Sequence, residues 1–334
     1  MSTLKHVAAR AGVSFTTVSH VVNGTRRVSD ATRRRVEKAI AEIGYSPSAI
    51  ARALKKSETH IIGVVVPNIT NPFFAELTRG IEDACESRQY SVFLCNGDDD
   101  SERQGRAVQT LLERRVDGML FATPAGDEAA LGRRLCTLPM KSVVIDRVLP
   151  GSGADLVRID HEAGAALAVR HLLALGHRRI GCLSGPSQFA VARARVAGWR
   201  QALQEAGIVP AESWLLEGEF STAAGHALTR RLLDRSDVTA ILAGNDLMGI
   251  GVLRAAAEAG IAVPQRLSVV GFDGIDIGAY TYPALTTVGH PIRRLGELAA
   301  TVLIERIAGR EPKARDVVVT PELMLRESTA GVPA

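Results

Sequence analysis

The stretch LKHVAARAGVSFTTVSHVVNG, residues 4–24, reads as two short helices joined by one tight turn. Leu4, Val7, Ala8 and Ala11 recur at the spacing of one helix face, and Thr3 stands where a cap belongs. Gly12 closes this helix, because glycine enters the left-handed conformation that a helix end often requires. Ser14 then caps a second helix, FTTVSHVVN, expected to bury Val18 and Val22. Ser29 opens a third, with Val36, Ala39, Ile40 and Ile43 on one face, stopped by Gly44 and Pro47. Two helices joined at a glycine turn and braced by a third make a helix-turn-helix.

Charge gives this head a partner. Residues 1–60 hold eleven Lys or Arg against four Asp or Glu, a net +7, whereas the remainder holds 29 against 32, a net −3. A small basic head on a near-neutral body suits a polyanion, the alternative being a merely solvated basic surface. In a helix-turn-helix the second helix enters the major groove, and its early residues reach base edges. Thr16 and His20 are expected to hydrogen-bond bases, while Phe15 either touches a thymine methyl or packs inside the small domain. Thr17, Ser19, Asn23, Thr25, Arg26, Arg33 and Arg34 are placed for phosphates, which position the protein without specifying sequence.

The whole chain of 334 residues, 46% hydrophobic, is long enough for two or three domains with a sizeable core. No apolar run approaches a membrane span and the N-terminus lacks a signal-peptide apolar region, so a cytosolic location is expected. Cys85, Cys95, Cys136 and Cys182 are scattered with no CxxC pair, and read as reduced core or surface thiols without a metal. Nothing in the chain calls for a cofactor.

From Thr59 onward, β-branched runs alternate with amphipathic stretches such as FFAELTRGIEDACE. HIIGVVVP, YSVFLCN, VDGMLFAT, KSVVIDR, RRIGCLSG, SWLLEGE, VTAILAG and LSVVGFD are eight expected strands; LTTVGHP and ARDVVVTPELML supply returning segments. Such alternation predicts parallel βαβ units, and their number fits two doubly wound lobes better than one sheet. These sheets bind ligands at the carboxyl ends of their strands. Asn68, Asn71, Asp146, Arg147, Asn245, Asp246 and Asp273 all stand just past expected strands. Amides, carboxylates and a guanidinium group can each pair adjacent hydroxyls of a polyhydroxylated ligand. Phe73 and Phe74 offer flat apolar faces to a sugar or a base, unless one of them packs in the core.

Enzyme signals are poor: HEAG is not HExxH, GCLSG is not GxSxG, and neither a GxxxxGK loop nor a GxGxxG after the first strand is present.

LKHVAARAGVSFTTVSHVVNG followed by VSDATRRRVEKAIAEIGYSPSAIARALK closely resembles the DNA-binding head of the LacI/GalR family of bacterial repressors. The likeness is nearest the ribose- and purine-repressor branch, and continues to about residue 328. It implies an α/β fold: an N-terminal helix-turn-helix head (1–46), a hinge helix (47–58), then a two-lobe periplasmic-binding-protein-like core (59–334) of doubly wound parallel sheets. One lobe would span about 59–160 and 289–319, the other about 161–288 and 320–330, with crossings near Asp160, Val288 and Thr320. The resemblance implies effector contacts at Asn71, Phe73 and Phe74 of TNPFF, at Asp146 and Arg147, and at Arg193 of VARARVAGW as the family's effector arginine. It adds Phe220, Asn245, Asp273 and His290, the last where many relatives carry glutamine.

Within SPSAIARALKK, Pro47 suits a first helical turn capped by Ser46, and Ile50, Ala53 and Leu54 form an apolar side too small to be stable alone. The resemblance implies a hinge helix there, whose Leu54 wedges into a minor-groove step. The set expected at DNA thereby gains Ser48, Ala51, Leu54 and Lys55, besides Thr3 and Ser14 at the helix starts. The partners expected are a near-palindromic double-stranded operator, a small-molecule effector favoured to be a sugar, and a second copy. Because the chain stops at RESTAGVPA without a heptad helix, a homodimer is expected. Three readings stand: a repressor released by ribose or another pentose, the same fold with a purine corepressor, and a sugar receptor or enzyme tethered by its head.

Overall fold

A computed structural model describes residues 3–45, 58–98, 100–122, 128–147, 149, 151–310 and 313–332. The expected hinge contacts Ser48, Ala51, Leu54 and Lys55 lie outside the described residues. The chain divides into two compact units, Met1–Thr59 and His60–Ala334.

In the first unit the helices run Leu4–Ala11 (α1), Phe15–Asn23 (α2) and Asp30–Glu42 (α3). Thr3 and its third helical neighbour form a reciprocal cap: the Thr3 hydroxyl accepts from His6 N–H, and His6 Nδ1 accepts from Thr3 N–H. Gly12 takes φ +62°, the left-handed turn that frees α2 to cross α1. From α3, Arg35 donates to the carbonyls of Ala11 and Gly12 at 2.7 and 3.1 Å, satisfying acceptors that the end of α1 leaves open. Val7, Ala8, Ala11, Val18, Val36 and Ala39 close the core between the three helices. Val22, expected to be buried, is only half-buried at the edge of that cluster.

The second unit carries twelve strands among the described residues. Those of one sheet are β1 (Ile61–Val66), β2 (Ser91–Asn96), β3 (Gly118–Ala122), β4 (Lys141–Ile145), β5 (Asp155–Ile159) and β11 (Asp316–Val319). Those of the other are β6 (Ile180–Ser184), β7 (Leu215–Glu217), β8 (Ala240–Ala243), β9 (Ser268–Asp273), β10 (Thr286–Gly289) and β12 (Glu322–Met324). The helices between them are α4 (Pro72–Glu86), α5 (Ser101–Glu113), α6 (Glu128–Cys136), α7 (His161–Ala174), α8 (Ala190–Glu205), α9 (Thr222–Arg235), α10 (Asp246–Glu258) and α11 (Ile292–Ile307).

The two sheets share one plan. Their strand orders are β11-β5-β4-β3-β1-β2 and β12-β10-β9-β8-β6-β7, parallel throughout except that β12 runs antiparallel to β10. The order reverses between β1 and β3 in one lobe and between β6 and β8 in the other, the crevice where doubly wound sheets take ligands. The chain passes between lobes at Asp160, again at His290–Pro291, and last between Val319 and Glu322. Both faces of each sheet are covered, so strands such as β1, β3 and β9 are nearly or wholly buried. On one face α4 and α11 approach so closely that a Cβ on Gly80 would lie 1.9 Å from the Arg293 carbonyl oxygen. Alanine at that position would force the helices apart.

One strand had no counterpart in the sequence reading. DLVRI, β5, holds Asp155 and Arg158 within a five-residue run and so hides its apolar alternation. Asp155 is fully buried there because two cations answer it, Arg306 Nε at 3.0 Å and Arg315 Nε at 3.5 Å, and the Arg315 backbone N–H donates to it at 2.8 Å. Arg158 turns outward to Asp316 of the neighbouring β11 at 3.0 Å.

Candidate functional site

In the head, α2 carries the residues expected to read bases. Phe15 is half exposed and Thr16, Thr25 and Arg26 are exposed, so the aromatic ring is not consumed by the small core. Other residues expected at DNA also build the motif. Ser14 caps α2, its hydroxyl accepting from Thr17 N–H at 3.1 Å and meeting the Thr17 hydroxyl at 2.8 Å. Asn23 donates to the Ser19 carbonyl at 2.8 Å and locks the last turn. His20 Nδ1 lies 2.8 Å from the Thr25 hydroxyl, which orients the imidazole from behind.

In the second unit a cavity opens between the strand ends of the two lobes. Pro67, Asn68, Asn71, Phe73, Phe74 and Asp146 line it from one lobe; Phe189, Val191, Arg195, Phe220, Asn245 and Asp273 line it from the other. Local rules place each polar group. Asn71 is the N-cap of α4, its Oδ1 accepting from Phe73 N–H at 3.0 Å, which leaves the amide NH₂ for a ligand. Asn245 does the same for α10, accepting from Met248 N–H at 2.9 Å. Asp146 and Asp273 occupy matching positions, at the ends of β4 and β9, and both adopt positive φ, 61° and 111°. Non-glycine residues accept such backbone strain mainly where it aims a side chain into a site.

Arg195 is the cation of this cavity. Its guanidinium lies 2.9 Å from Asp273 Oδ1, donates to the Gly244 carbonyl and rests on the Phe272 ring, 3.8 Å from the centroid. Burial pushes the Asp273 carboxyl up, against the opposing pull of Arg195. Burial acts on Asp146 in the same direction but loses to the His161 ring N–H and to the Ile159 N–H it accepts, so this carboxyl sits below its ordinary value. Behind Asp273, Asp246 is wholly buried and raised to about 8 by burial and by the Asp273 charge. It accepts from the N–H groups of Gly274 and Ile275 at 2.8 Å and meets the Thr287 hydroxyl at 2.5 Å.

Most of the expected effector residues converge here: Asn71, Phe73, Phe74, Asp146, Phe220, Asn245 and Asp273 all line the cavity. Three do not. Arg193 instead donates to the carbonyls of Ser187 and Gln188 at 2.9 and 3.0 Å, tying down the loop before α8. The correction follows from helix geometry: Val191, Arg195 and Trp199 recur every four residues on the buried face, and Arg193 falls on the other side. Spacing from Trp199 would have selected Arg195 in the sequence. Arg147 is buried but is not among the residues of the cavity wall. His290 stands behind Phe73, its ring 5.9 Å away, and lines a second recess with Glu76, Ile275 and Arg293. Burial drives its imidazole down to about 4, so it is neutral at ordinary pH.

The geometry is that of a binding cleft. Amides, carboxylates and one already paired arginine face four phenylalanine rings, an arrangement that grips hydroxyls by polar edges and ring C–H faces by apolar ones. Among the described residues no group of three or more His, Cys, Asp or Glu is placed to hold a metal ion, and no helix is long and apolar enough to cross a membrane.

Comparison with known proteins agrees with both units. Residues 3–48 match the family described as "Bacterial regulatory proteins, lacI family", and residues 169–329 match "Periplasmic binding protein-like domain". The chain is 40% identical to the ribose operon repressor of Escherichia coli (strain K12) over 331 residues, 98% of this chain and 100% of that one. It is 39% identical to the HTH-type transcriptional repressor PurR of Photobacterium profundum, over 98% of each chain. Among solved structures, the lac repressor dimer bound to operator and the anti-inducer ONPF superposes with a TM-score of 0.90 at 32% identity, over 98% of this chain and 99% of that one. A basic helix-turn-helix followed by two matched lobes around one cleft, with this identity along nearly the whole length, shows that the chain belongs to the LacI family of bacterial transcriptional regulators.

Proposed function

We propose that the protein is a sugar-responsive repressor that binds a near-palindromic operator as a homodimer and leaves it when a ribose-type sugar fills the interlobe cleft. Residues 1–46 are its DNA-binding domain, 47–58 its hinge, and 59–334 its effector-binding core. Each head takes one half-site, so operator symmetry mirrors that of the dimer. Its place of action is the cytoplasm, where operator DNA lies.

The observation that carries the reading is the composition of the cleft. Arg195 is already answered by Asp273, and the remaining polar groups (Asn68, Asn71, Asp146 and Asn245) are those that pair neutral hydroxyls. A ligand clasped from both lobes shifts their relative setting, and linkage requires that operator and effector change each other's affinity by the same factor. In the head, Phe15, Thr16 and His20 read bases, while Thr3, Ser14, Thr17, Ser19, Asn23, Thr25 and Arg26 serve the phosphate backbone and the motif itself. A purine corepressor is the second reading, favoured by the ring pair Phe73–Phe74, edge to face at 5.0 Å, and by 39% identity to a PurR repressor. Titrating sugars and purines into an operator complex separates the two: loss of DNA binding supports the first, gain supports the second.

A further inference from the structure

His161 is the first residue of α7, directly after the crossing at Asp160, and only 6% of it is exposed. Its ring is parked 5.6 Å from Phe272, the ring on which Arg195 also rests. On one side, Nδ1 lies 3.4 Å from Nε and 3.3 Å from Nη2 of Arg195. On the other, Nε2 lies 3.3 Å from Asp146 Oδ1 without hydrogen-bond alignment, and has no other polar partner among the described residues. A guanidinium group only donates, so Nδ1 must offer its lone pair. The ring hydrogen then sits on Nε2 and faces the Asp146 carboxylate. A buried chain results, closed by hydrogen bonds at every link but the first: Asp146, His161, Arg195, Asp273.

Only one link of that chain spans the lobes. Asp146 ends β4 of the first sheet, whereas α7, α8 and β9 belong to the second. We propose that His161 is a positioning residue that couples the two lobes: an imidazole that holds the cleft arginine from behind and transmits its position to the carboxylate of the opposite lobe. The inference rests on the reading of this cleft as the effector site and goes beyond it, since His161 does not line the cavity and no contact with effector is required of it. A ligand that engages Asp146 and Arg195 pulls on both ends of the chain. Aligning the one imperfect link, between Nε2 and Oδ1, would favour one lobe setting over others.

Two measurements on the full-length protein test the inference. The first needs no effector: imidazole ¹⁵N–¹³C spectroscopy, with the His161 signals assigned by their loss in His161→Gln, is expected to show a neutral ring protonated at Nε2. A ring protonated at Nδ1, or at both nitrogens, overturns the relay. The second uses D-ribose as probe, with release of a fluorescent operator as readout. His161→Phe keeps the ring against Phe272 and removes both polar links, and is expected to raise the ribose midpoint about tenfold or more, the effect of a lost charge-assisted hydrogen bond. Its operator affinity without ribose stays at the wild-type value. His161→Gln carries one acceptor and one donor and is expected to restore most of the response. Should His161→Phe lack a cooperative melt, His161→Met takes its place with the same expectation. A wild-type midpoint in the apolar variant, or equal losses in the apolar and Gln variants, overturns the proposal. A wild-type protein indifferent to ribose counts instead against the sugar reading, and the spectroscopic result then decides the relay alone.

Discussion

Arg195 and Asp273 face each other at 2.9 Å inside the cleft, each more than nine-tenths buried and each delivered by a different element of the same lobe. Removing either partner of a buried pair leaves an uncompensated charge, a penalty of about 3–5 kcal/mol. The pair therefore has structural as well as recognition consequences, and informative substitutions must keep the charge.

Arg195→Lys retains the cation but loses the planar fork that spans Asp273, Gly244 and His161. Effector sensitivity is expected to fall about tenfold or more, one charge-assisted hydrogen bond's worth, with operator affinity unchanged. Arg193→Ala, two residues away, is expected to leave sensitivity within a factor of about two, as surface changes usually do. Parallel operator-release titrations decide between the two arginines; a larger loss at 193 would return that role to it.

Asp246 supplies a pH signature of stability. Its carboxyl is raised from 3.8 to about 8, so between those values the folded chain holds a proton that the unfolded chain has released. Stability contributed at this site is thus fully present below about pH 4 and is lost as pH rises toward 8. Asp246→Asn keeps an oxygen for the Gly274 and Ile275 N–H groups and gains a donor for Thr287. Thermal melts should show the variant gaining on wild type from pH 5 to pH 8. A constant difference across that range contradicts the assignment.

Ser14 is asked to serve the fold of the head before it serves DNA. Ser14→Ala removes the cap of α2 and should cost about 1 kcal/mol locally, seen as roughly fivefold faster exchange of the α2 amides in the free protein. Unchanged exchange would reduce Ser14 to a phosphate contact.

His20 Nδ1 is held at 2.8 Å by the Thr25 hydroxyl. His20→Ala should lose discrimination at one base pair in each half-site, by about 1–3 kcal/mol. A loss equal for all sequences makes it a backbone contact instead.

The fold was legible wherever periodicity was clean. The caps Thr3, Ser14 and Ser29, the turn at Gly12 and most of the β-branched runs announced themselves through spacing alone. β5 did not, because its buried Asp155 is neutralised by Arg306 and Arg315, far along the chain, and pairing at that separation leaves no local trace. The cleft was readable for groups that end strands or cap helices, such as Asp146, Asn245 and Asp273. Arg195 and His161 escaped because their roles depend on which helix face turns inward, and on partners contributed by other elements. The two phenylalanines Phe189 and Phe220 approach to 6.5 Å across a loop that sequence spacing does not relate.

The central claim, that sugar in the cleft releases the head from DNA, is tested most directly by one titration. A fluorescent duplex from the promoter upstream of the protein's own gene is saturated with the full-length protein, and anisotropy is followed as D-ribose is added. Salt-sensitive binding that collapses with ribose, and persists at the same ribose concentration in Arg195→Lys, is the predicted result. Binding that ribose leaves untouched, or that a purine strengthens, contradicts it.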